Sequence, residues 1–340
     1  MRLTSGEALK IFSSEDLLEL GKTADAIRKK KFGDVVTFII DRNINYTNVC
    51  KNECKFCAFF RKKNQRGAYL LSHEEILQKV RETVAAGGTQ LMIQGGLHPD
   101  LDLNYYEEML RLIKKNFDIT IHSFTATEIQ HFANRAGLSI LDTLKRLQAA
   151  GLDSLPGGGA EILVDAVRKK ISPKKIMTDD WLNVMRLAHS IGMKSTATMV
   201  IGFGETLAQR LEHMEKIRAL QDETGGFRAF ITWTYQPLNT ALGGEKVSAQ
   251  DYMKTLSMTR IFLDNVEHIQ GSWVTQGERI GQLTLAFGAD DLGSIMLEEN
   301  VVRAAGTSFE MSTRKMVDLI RAAGKIPAQR NTRYEVLKKF

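Results

Sequence analysis

Three cysteines are the residues whose type and spacing point most clearly to chemistry. Cys50, Cys54 and Cys57 form a C-x3-C-x2-C pattern, and the 340-residue chain has no other cysteine. An odd number of thiols in a long chain argues against a disulfide framework. Thiols packed this closely on one loop predict that they hold an inorganic centre.

The centre that three cysteines could hold is either an iron–sulfur cluster or a zinc ion. Iron–sulfur clusters normally take one cysteine per iron, so three would leave one iron of a [4Fe–4S] cluster open to a small molecule. A structural Cys3His zinc site would need a nearby histidine. The nearest downstream histidine, His73, lies inside a predicted helix. The sequence favours the cluster and leaves a zinc-stabilised binding protein as the alternative from another class.

A second group of residues gathers just after predicted strands. These residues are glycine, aromatic or polar, and they recur along the chain at similar spacing. They are Gln94, Gly95, Gly96, His122, Ser123, the glycines 157–159, Glu161, Glu205, Trp233, Tyr235, Gln236, Ser272 and Trp273. A parallel barrel collects its active site at the ends of its strands, so we expect these side chains to meet.

The elements that must position these residues alternate between short apolar runs and longer amphipathic ones. Predicted strands cover residues 35–40, 89–94, 119–124, 153–155, 195–201, 228–234 and 268–274, with a weaker one near 287–292. Continuous apolarity within these runs is typical of parallel strands covered on both faces. Predicted helices cover residues 72–86, 104–115, 139–150, 178–191, 206–223, 248–265 and 278–286. The alternation predicts an α/β fold, a (β/α)8 barrel of the TIM type.

The predicted barrel spans residues 35–292, with a helical N-terminal extension over 1–34 and a helical C-terminal extension over 293–340. The net charge of +6 is spread along the chain, which predicts a solvated surface and no nucleic-acid partner. No apolar run approaches a membrane span, and the N-terminus lacks the apolar centre of a signal peptide. We therefore expect a cytoplasmic protein with no membrane partner.

The three-cysteine loop after the first strand resembles that of the radical S-adenosylmethionine (SAM) superfamily. Phe56 stands where that superfamily packs an aromatic residue near the SAM adenine, and Gln94-Gly95-Gly96 stands where its Gly-Gly-Glu-like element engages SAM. The stretch from Thr198 to Glu205 resembles its GxIxGxxE element, with Thr198 replacing the first glycine. The resemblance implies a radical SAM barrel, with Cys50, Cys54 and Cys57 holding a [4Fe–4S] cluster and the other residues binding SAM.

The resemblance extends to the futalosine-pathway branch of menaquinone biosynthesis. NINYTNVC (43–50), LPGGGAEIL (155–163) and SWVTQG (272–277) are similar to the branch that cyclises dehypoxanthine futalosine. The aminofutalosine synthases and the deazaflavin (FO) synthases share the cysteine loop and stay as alternatives. The implied reaction is hydrogen abstraction from ribose C4′ by a 5′-deoxyadenosyl radical, followed by C–C ring closure.

This resemblance and the strand-end positions imply roles for the remaining residues. His122, Glu161 and Tyr235 are the expected catalytic side chains, and Ser123, Trp233, Gln236, Ser272 and Trp273 are the expected substrate contacts. The expected partners are dehypoxanthine futalosine as the small-molecule substrate and a low-potential flavodoxin- or ferredoxin-type reductant.

Overall fold

A computed structural model describes residues 2–13 and 16–340, and its centre is a ring of parallel strands. The ring strands, in chain order, are β1 (Val35–Ile39), β2 (Asp41–Ile44), β3 (Gln90–Ile93), β4 (Thr120–Ile121), β5 (Ser154–Leu155), β6 (Lys194–Ile201), β7 (Phe227–Thr234), β8 (His268–Gln270) and β9 (Asp291–Ser294). Their inward and outward side chains are mostly buried, as parallel strands covered by helices require.

The ring closes because β2 continues the path of β1 directly after Ile40. β2 pairs in parallel with β3, and β3 with β4. A bridge between His122 and Ser154 carries the ladder on to β5. Strands β5 to β9 then pair in parallel in chain order. Pairing of Asp291 with Thr37 returns β9 to β1, which gives a (β/α)8-type barrel.

Helices surround the ring, and most begin at a side chain that caps their free N–H groups. Ser72 and Glu75 form the predicted capping box at the start of α3, and Thr206 with Gln209 does the same for α9. The outer helices are α3 (His73–Ala85), α4 (Leu103–Asn116), α5 (Ala126–Ala136), α6 (Ile140–Ala150), α7 (Asp165–Ile171), α8 (Thr178–Ser190), α9 (Leu207–Thr224), α10 (Ala249–Phe262) and α11 (Glu278–Leu283), the last followed by a 3-10 turn (Thr284–Ala286). Among the residues described, no helix is both long and apolar enough to pass through a bilayer.

The structure confirms the predicted alternation and corrects several boundaries. The predicted strand 35–40 is β1, which ends at Ile39, and the strand β2 that follows it was not predicted. The predicted strand 268–274 ends early, at Gln270. The weak eighth strand lies at Asp291–Ser294 instead of 287–292. Helices α5 and α7 were not predicted, because both are short and lie within the loops that follow strands.

The two chain extensions differ in kind. The N-terminal one contains helices α1 (Ser5–Ser13) and α2 (Leu17–Phe32). The C-terminal one contains α12 (Val301–Ala304) and α13 (Thr313–Ala322), but the prediction that it is helical is wrong beyond them. There β10 (Ile326–Arg330) pairs in parallel with β1, and β11 (Val336–Lys339) pairs antiparallel with β10.

The turn between β10 and β11 closes the end of the barrel at which the strands begin. The Arg330 guanidinium donates to both carboxylate oxygens of Asp291, at 2.6 and 3.0 Å. Tyr334 stacks on His268, the first residue of β8, with ring centroids 3.7 Å apart. Residues 330–334 therefore form a floor under the barrel interior.

Candidate active site

Two adjoining cavities lie within and above the barrel. The cysteine cavity, of about 190 Å³, is lined by the three cysteines, the Gln94–Gly96 turn and the residues that follow β4. The barrel cavity, of about 260 Å³, lies inside the strand ring and reaches the floor. Gln94, Glu161 and Val301 line both cavities. Molecules bound in the two cavities would therefore meet at these three side chains.

The cysteine loop is held in shape by its own backbone. The Cys50 N–H donates to the Arg61 carbonyl, and the Arg61 N–H donates to the Asn48 carbonyl. The Arg61 guanidinium donates to the Phe60 carbonyl at 2.8 Å. All three cysteines are free thiols that line the cysteine cavity. The loop therefore presents the whole thiol set to one enclosed space.

The chemistry of this donor set fits an iron–sulfur cluster. Burial raises the pKa of Cys54 to about 12, while the nearby Lys175 ammonium favours its thiolate. Iron would therefore have to displace the Cys54 thiol proton when it binds. Binding also requires that the thiols stay reduced and shielded from oxidation. In the described part of the chain, no three His, Cys, Asp or Glu side chains converge on a single metal ion. A cluster assigns one cysteine to each iron and does not require such convergence.

Two unpartnered polar atoms in the cysteine cavity fit a polar ligand such as SAM. The Thr127 hydroxyl and Oε2 of Glu161 are buried and make no hydrogen bond to any described residue. Both side chains line this cavity. Buried polar atoms nearly always have partners, so these two atoms mark places where a bound molecule would supply one.

The glycines of the Gln94–Gly96 turn are required by close packing against the cysteine loop. A Cβ on Gly96 would lie 2.2 Å from the Val49 carbonyl oxygen, and a Cβ on Gly95 would lie 2.5 Å from the Tyr46 ring. Neither position has room for a side chain. The turn is thus pressed against the backbone that carries Cys50.

Glu128 ties this turn to α5. Its carboxylate accepts hydrogen bonds from the Gly95 N–H, the Tyr46 hydroxyl and the Thr125 N–H, at 2.9, 2.9 and 2.8 Å. Burial raises the pKa of Glu128, while these donors oppose the rise. The role of Glu128 was not predicted from the sequence, although the capping pattern Thr125-x-x-Glu128 carries the signal.

Glu161 lies at the junction of the two cavities in a strained backbone conformation, with φ of +40°. Its carboxylate pairs with Lys175 at 2.6 Å and lies 3.7 Å from Arg168. Burial lowers the pKa of Lys175, but the charges of Glu161 and Cys54 outweigh it and raise the pKa overall. Arg168 also donates to the Gly159 carbonyl at 3.1 Å and fixes the triglycine turn.

An aromatic stack borders the cysteine cavity. Phe56, which lines it, packs on Phe203 with centroids 5.4 Å apart, and Phe203 packs on Tyr235 at 5.1 Å. The Lys175 ammonium lies 5.5 Å from the Phe56 ring centroid. Phe56 thus lines the cavity, and its ring is supported by packing against Phe203.

Tyr235 and Glu205 support this stack and line neither cavity. The Tyr235 hydroxyl bonds to Thr240 and donates to the Gly243 carbonyl. The Glu205 carboxylate accepts from the N–H groups of Gly202 and Phe203. These contacts orient the turn after β6, so neither side chain is positioned for the direct contact that the sequence suggested.

Besides Gln94, Glu161 and the glycines 157–159, five further predicted residues line the barrel cavity: His122, Thr198, Trp233, Ser272 and Trp273. A 2.7 Å hydrogen bond joins His122 Nδ1 to the Ser154 hydroxyl, and burial lowers the pKa of His122 to about 3. The imidazole is therefore neutral at physiological pH.

Ser123 and Gln236 point away from this cavity. The Ser123 hydroxyl accepts from the Ile93 N–H at 2.9 Å, and the Gln236 amide donates to Thr234 and to the Thr275 carbonyl. Neither residue lines the two cavities. Strand alternation explains Ser123, because it follows the inward-facing His122 by one residue.

Several polar residues of the barrel interior were not predicted. They are Asp41, Asn43, Gln90, Arg228, Gln270, Arg330 and Thr332. The only sign of them in the sequence is a polar residue within an otherwise apolar strand. Such a residue can face either the barrel interior or the helices, and the sequence does not say which. The floor residues 330–334 were not predicted to line the barrel, because the C-terminal extension was expected to be helical and not to form the β10–β11 hairpin.

The comparisons with known proteins agree with this geometry. Residues 44–217 match the radical SAM superfamily, and residues 224–339 match the CofH/MqnC C-terminal region. The chain is 49% identical to cyclic dehypoxanthine futalosine synthase of Streptomyces coelicolor, over 99% of this chain and 86% of that protein. It is 45% identical to the enzyme of the same name from Halalkalibacterium halodurans, over 100% and 92%. It is also 39% identical to 5-amino-6-(D-ribitylamino)uracil–L-tyrosine 4-hydroxyphenyl transferase of Methanococcus maripaludis, over 99% and 97%.

Solved structures of low sequence identity share the fold. Methylornithine synthase (PylB) matches with a TM-score of 0.78 and 20% identity, over 96% of this chain and 95% of that one. The hydrogenase maturase HydG of Carboxydothermus hydrogenoformans matches with a TM-score of 0.79 and 18% identity, over 98% and 77%. Superfamily enzymes use a [4Fe–4S] cluster and SAM, for which the cysteine cavity provides three thiols and unpartnered polar atoms. The chain therefore belongs to the radical SAM superfamily, in the branch that carries the CofH/MqnC C-terminal region.

Proposed function

We propose that this enzyme converts dehypoxanthine futalosine to cyclic dehypoxanthine futalosine in menaquinone biosynthesis. The observation that carries the proposal is the adjoining pair of cavities, which share Gln94 and Glu161. One cavity holds the cysteines, and the other lies inside the strand ring and is lined by two tryptophans among other side chains. The support from relatives is the 45–49% identity over nearly the whole chain to enzymes with this name.

The cofactors would be held in the cysteine cavity. Cys50, Cys54 and Cys57 would ligate the cluster, and Phe56 with the Gln94–Gly96 turn would hold SAM. When bound, the reduced cluster and SAM supply the hydrogen-abstracting 5′-deoxyadenosyl radical. The substrate would lie in the barrel cavity with its ribose towards Glu161, where the two cavities meet.

The residues of the barrel cavity would orient the substrate and exclude water. Trp233 and Trp273 would flank the aromatic ring, and the Trp273 indole is fixed by donating to the Ser294 carbonyl at 3.0 Å. His122 would offer a neutral Nε2, because Nδ1 is bonded to Ser154. Ring closure ends with loss of one electron and one proton from the ring. The electron would return to the oxidised cluster, and Oε2 of Glu161, which makes no hydrogen bond to a described residue and lies 3.7 Å from Arg168, would accept the proton.

We also propose that a low-potential flavodoxin or ferredoxin supplies the electron. The cysteine loop and the residues after it carry exposed basic side chains, namely Lys51, Lys55, Lys62, Lys63 and Arg66. Two of them are paired with acids, Lys62 with Glu53 and Lys63 with Asp100. Acidic electron carriers are attracted to such a surface. Three free thiol ligands require a reducing compartment, which supports the cytoplasm as the place of action.

A substrate panel tests the proposal. The reconstituted protein, with SAM and dithionite, is offered dehypoxanthine futalosine in one vessel. In a second it is offered 5-amino-6-(D-ribitylamino)uracil with tyrosine, the substrates in the name of the second group of relatives. We expect a cyclised product only in the first vessel. Product in the second vessel alone would assign the chain to the transferase instead.

A further inference from the structure

The floor of the barrel cavity contains a half-buried cation without a counterion among the described residues. Arg228 is the second residue of β7 and lines the cavity. Its Nη1 atom is buried and has no hydrogen-bond partner, and no ion pair is formed by this side chain within the described residues. Burial lowers the pKa of Arg228, and the charges of Arg333 and Arg330 lower it further. A cation in this situation is costly unless an anion joins it.

The acidic groups around the cavity are already committed elsewhere. Asp291 is bonded to Arg330, and Glu161 is paired with Lys175. Asp41 accepts from the Gln90 amide, and its burial raises the pKa of its carboxyl. These groups leave Arg228 as an uncompensated positive charge at the floor.

The two remaining acids do not compensate it either. Asp153, the acid whose charge acts on Arg228, pairs with Lys114 at 2.6 Å and accepts from the Ile121 N–H. Glu299 accepts from the N–H groups of α12, and burial raises its pKa to about 7. Neither acid is therefore a counterion for Arg228.

The Thr332 hydroxyl is a second polar group without a hydrogen-bond partner at the floor of the barrel cavity. The Thr332 hydroxyl is 95% buried, lines the barrel cavity and has no hydrogen-bond partner among the described residues. Thr332 belongs to the floor segment whose neighbours Arg330, Arg333 and Tyr334 interact electrostatically with Arg228. A guanidinium and a hydroxyl that both lack partners form a suitable set of donors for a carboxylate.

We propose that Arg228 and Thr332 form an anion subsite at the floor of the barrel that binds the aryl carboxylate of the substrate. The identification of that anion rests on the proposed function, because dehypoxanthine futalosine carries a benzoate. At about 3.3 Å per strand residue, Arg228 lies roughly 16 Å along β7 from Trp233. A substrate anchored by its carboxylate would have to fold, so that ribose C4′ contacts the aromatic ring and also faces the junction with the cysteine cavity. Arg228 thereby becomes a positioning residue that sets which end of the substrate meets SAM.

The test compares Arg228→Met and Arg228→Lys with the wild type, and uses Arg186→Met as the control. Arg186 pairs with Glu223 on the surface, away from both cavities. Binding of dehypoxanthine futalosine and its carboxamide analogue is followed by the fluorescence of Trp233 and Trp273. For the carboxylate, we expect Arg228→Met to weaken binding and raise KM about 10- to 100-fold. Arg228→Lys should recover part of the affinity, and the carboxamide should bind wild type and Arg228→Met alike.

Two further measurements separate this role from a structural one and from the proposed function. The ligand-free Arg228→Met protein should melt no lower than the wild type, because it loses an unpaired charge. A lower melting temperature, or equal loss of affinity for carboxylate and carboxamide, would overturn the subsite. Binding of 3-acetylbenzoate, compared with 3-acetylbenzamide, tests the subsite even if dehypoxanthine futalosine is not turned over. If the wild type and Arg228→Met bind 3-acetylbenzoate equally, the subsite is wrong whatever the substrate.

Discussion

Glu161 and His122 differ in their hydrogen-bond partners, and this difference suits them to different roles in one site. Glu161 accepts a hydrogen bond from Lys175 with one oxygen, while the other lies 3.7 Å from Arg168 and makes no hydrogen bond to a described residue. His122 keeps Nδ1 on Ser154 and stays neutral, because burial lowers its pKa to about 3. Glu161 is therefore the proton acceptor that we propose, while the neutral His122 is suited to hydrogen bonding without charge.

Glu161→Gln is expected to separate hydrogen abstraction from product formation. The amide keeps the size of the side chain but cannot accept the ring proton, so the cyclised product should fall by about 100-fold or more. Formation of 5′-deoxyadenosine should continue at a rate closer to that of the wild type. Chromatography with mass detection measures both, with the surface variant Glu223→Gln as the control. Equal loss of both products would contradict the assigned role.

His122 should make the wild-type fold sensitive to acid. The unfolded imidazole has a pKa of 6.5 and the folded one about 3, so only the unfolded chain gains a proton as the pH falls below 6.5. Stability is therefore lost on the acid side, by about 2 kcal/mol between pH 6.5 and pH 5. Urea unfolding of His122→Gln should lack this part of the pH dependence.

His189 provides the matched control for that measurement. Burial lowers its pKa to about 4, but its ring is bonded to Thr224 and Ser195 outside the two cavities. His189→Gln should also reduce the acid sensitivity, yet leave substrate binding unchanged. If His189→Gln weakened substrate binding as much as His122→Gln, His122 would have no special place in the site.

At the scale of elements, the site depends on how the turn after β3 packs against the cysteine loop. Gly96→Ala would press a methyl group against the Val49 carbonyl at 2.2 Å. We expect a loss of about 1–3 kcal/mol in stability and a lower iron content after reconstitution. Gly6→Ala is the control, because a Cβ there meets nothing within 4 Å. Full iron loading of Gly96→Ala would show that the close packing is not needed.

The sequence predicted the elements with strong periodicity or caps and missed those without. The alternation of strands and helices, and the Ser72 capping box, came from local patterns that packing reinforced. The strand β10 was missed because it contains Pro327, and β11 because its residues are all exposed and show no alternation. The sequence also did not predict which way the side chains of Ser123, Tyr235 and Gln236 face, since this depends on where each strand of the barrel ends.

At the scale of the whole molecule, the C-terminal hairpin joins the last strands to the first. Arg330→Met would leave the buried Asp291 without its partner and should cost about 3–5 kcal/mol. Arg186→Met removes a surface pair and should cost about 1 kcal/mol or less. Urea unfolding of both variants compares them directly. Equal effects would mean that the floor does not stabilise the barrel.

The account as a whole is tested most directly by one anaerobic assay of the wild type and Cys54→Ser. After reconstitution with iron and sulfide, the wild type should contain about four iron atoms per chain. With SAM, dithionite and dehypoxanthine futalosine, it should release 5′-deoxyadenosine and a product lighter than the substrate by two hydrogen atoms. Cys54→Ser should do neither. Zinc in place of iron, or 5′-deoxyadenosine formed by Cys54→Ser, would contradict the account.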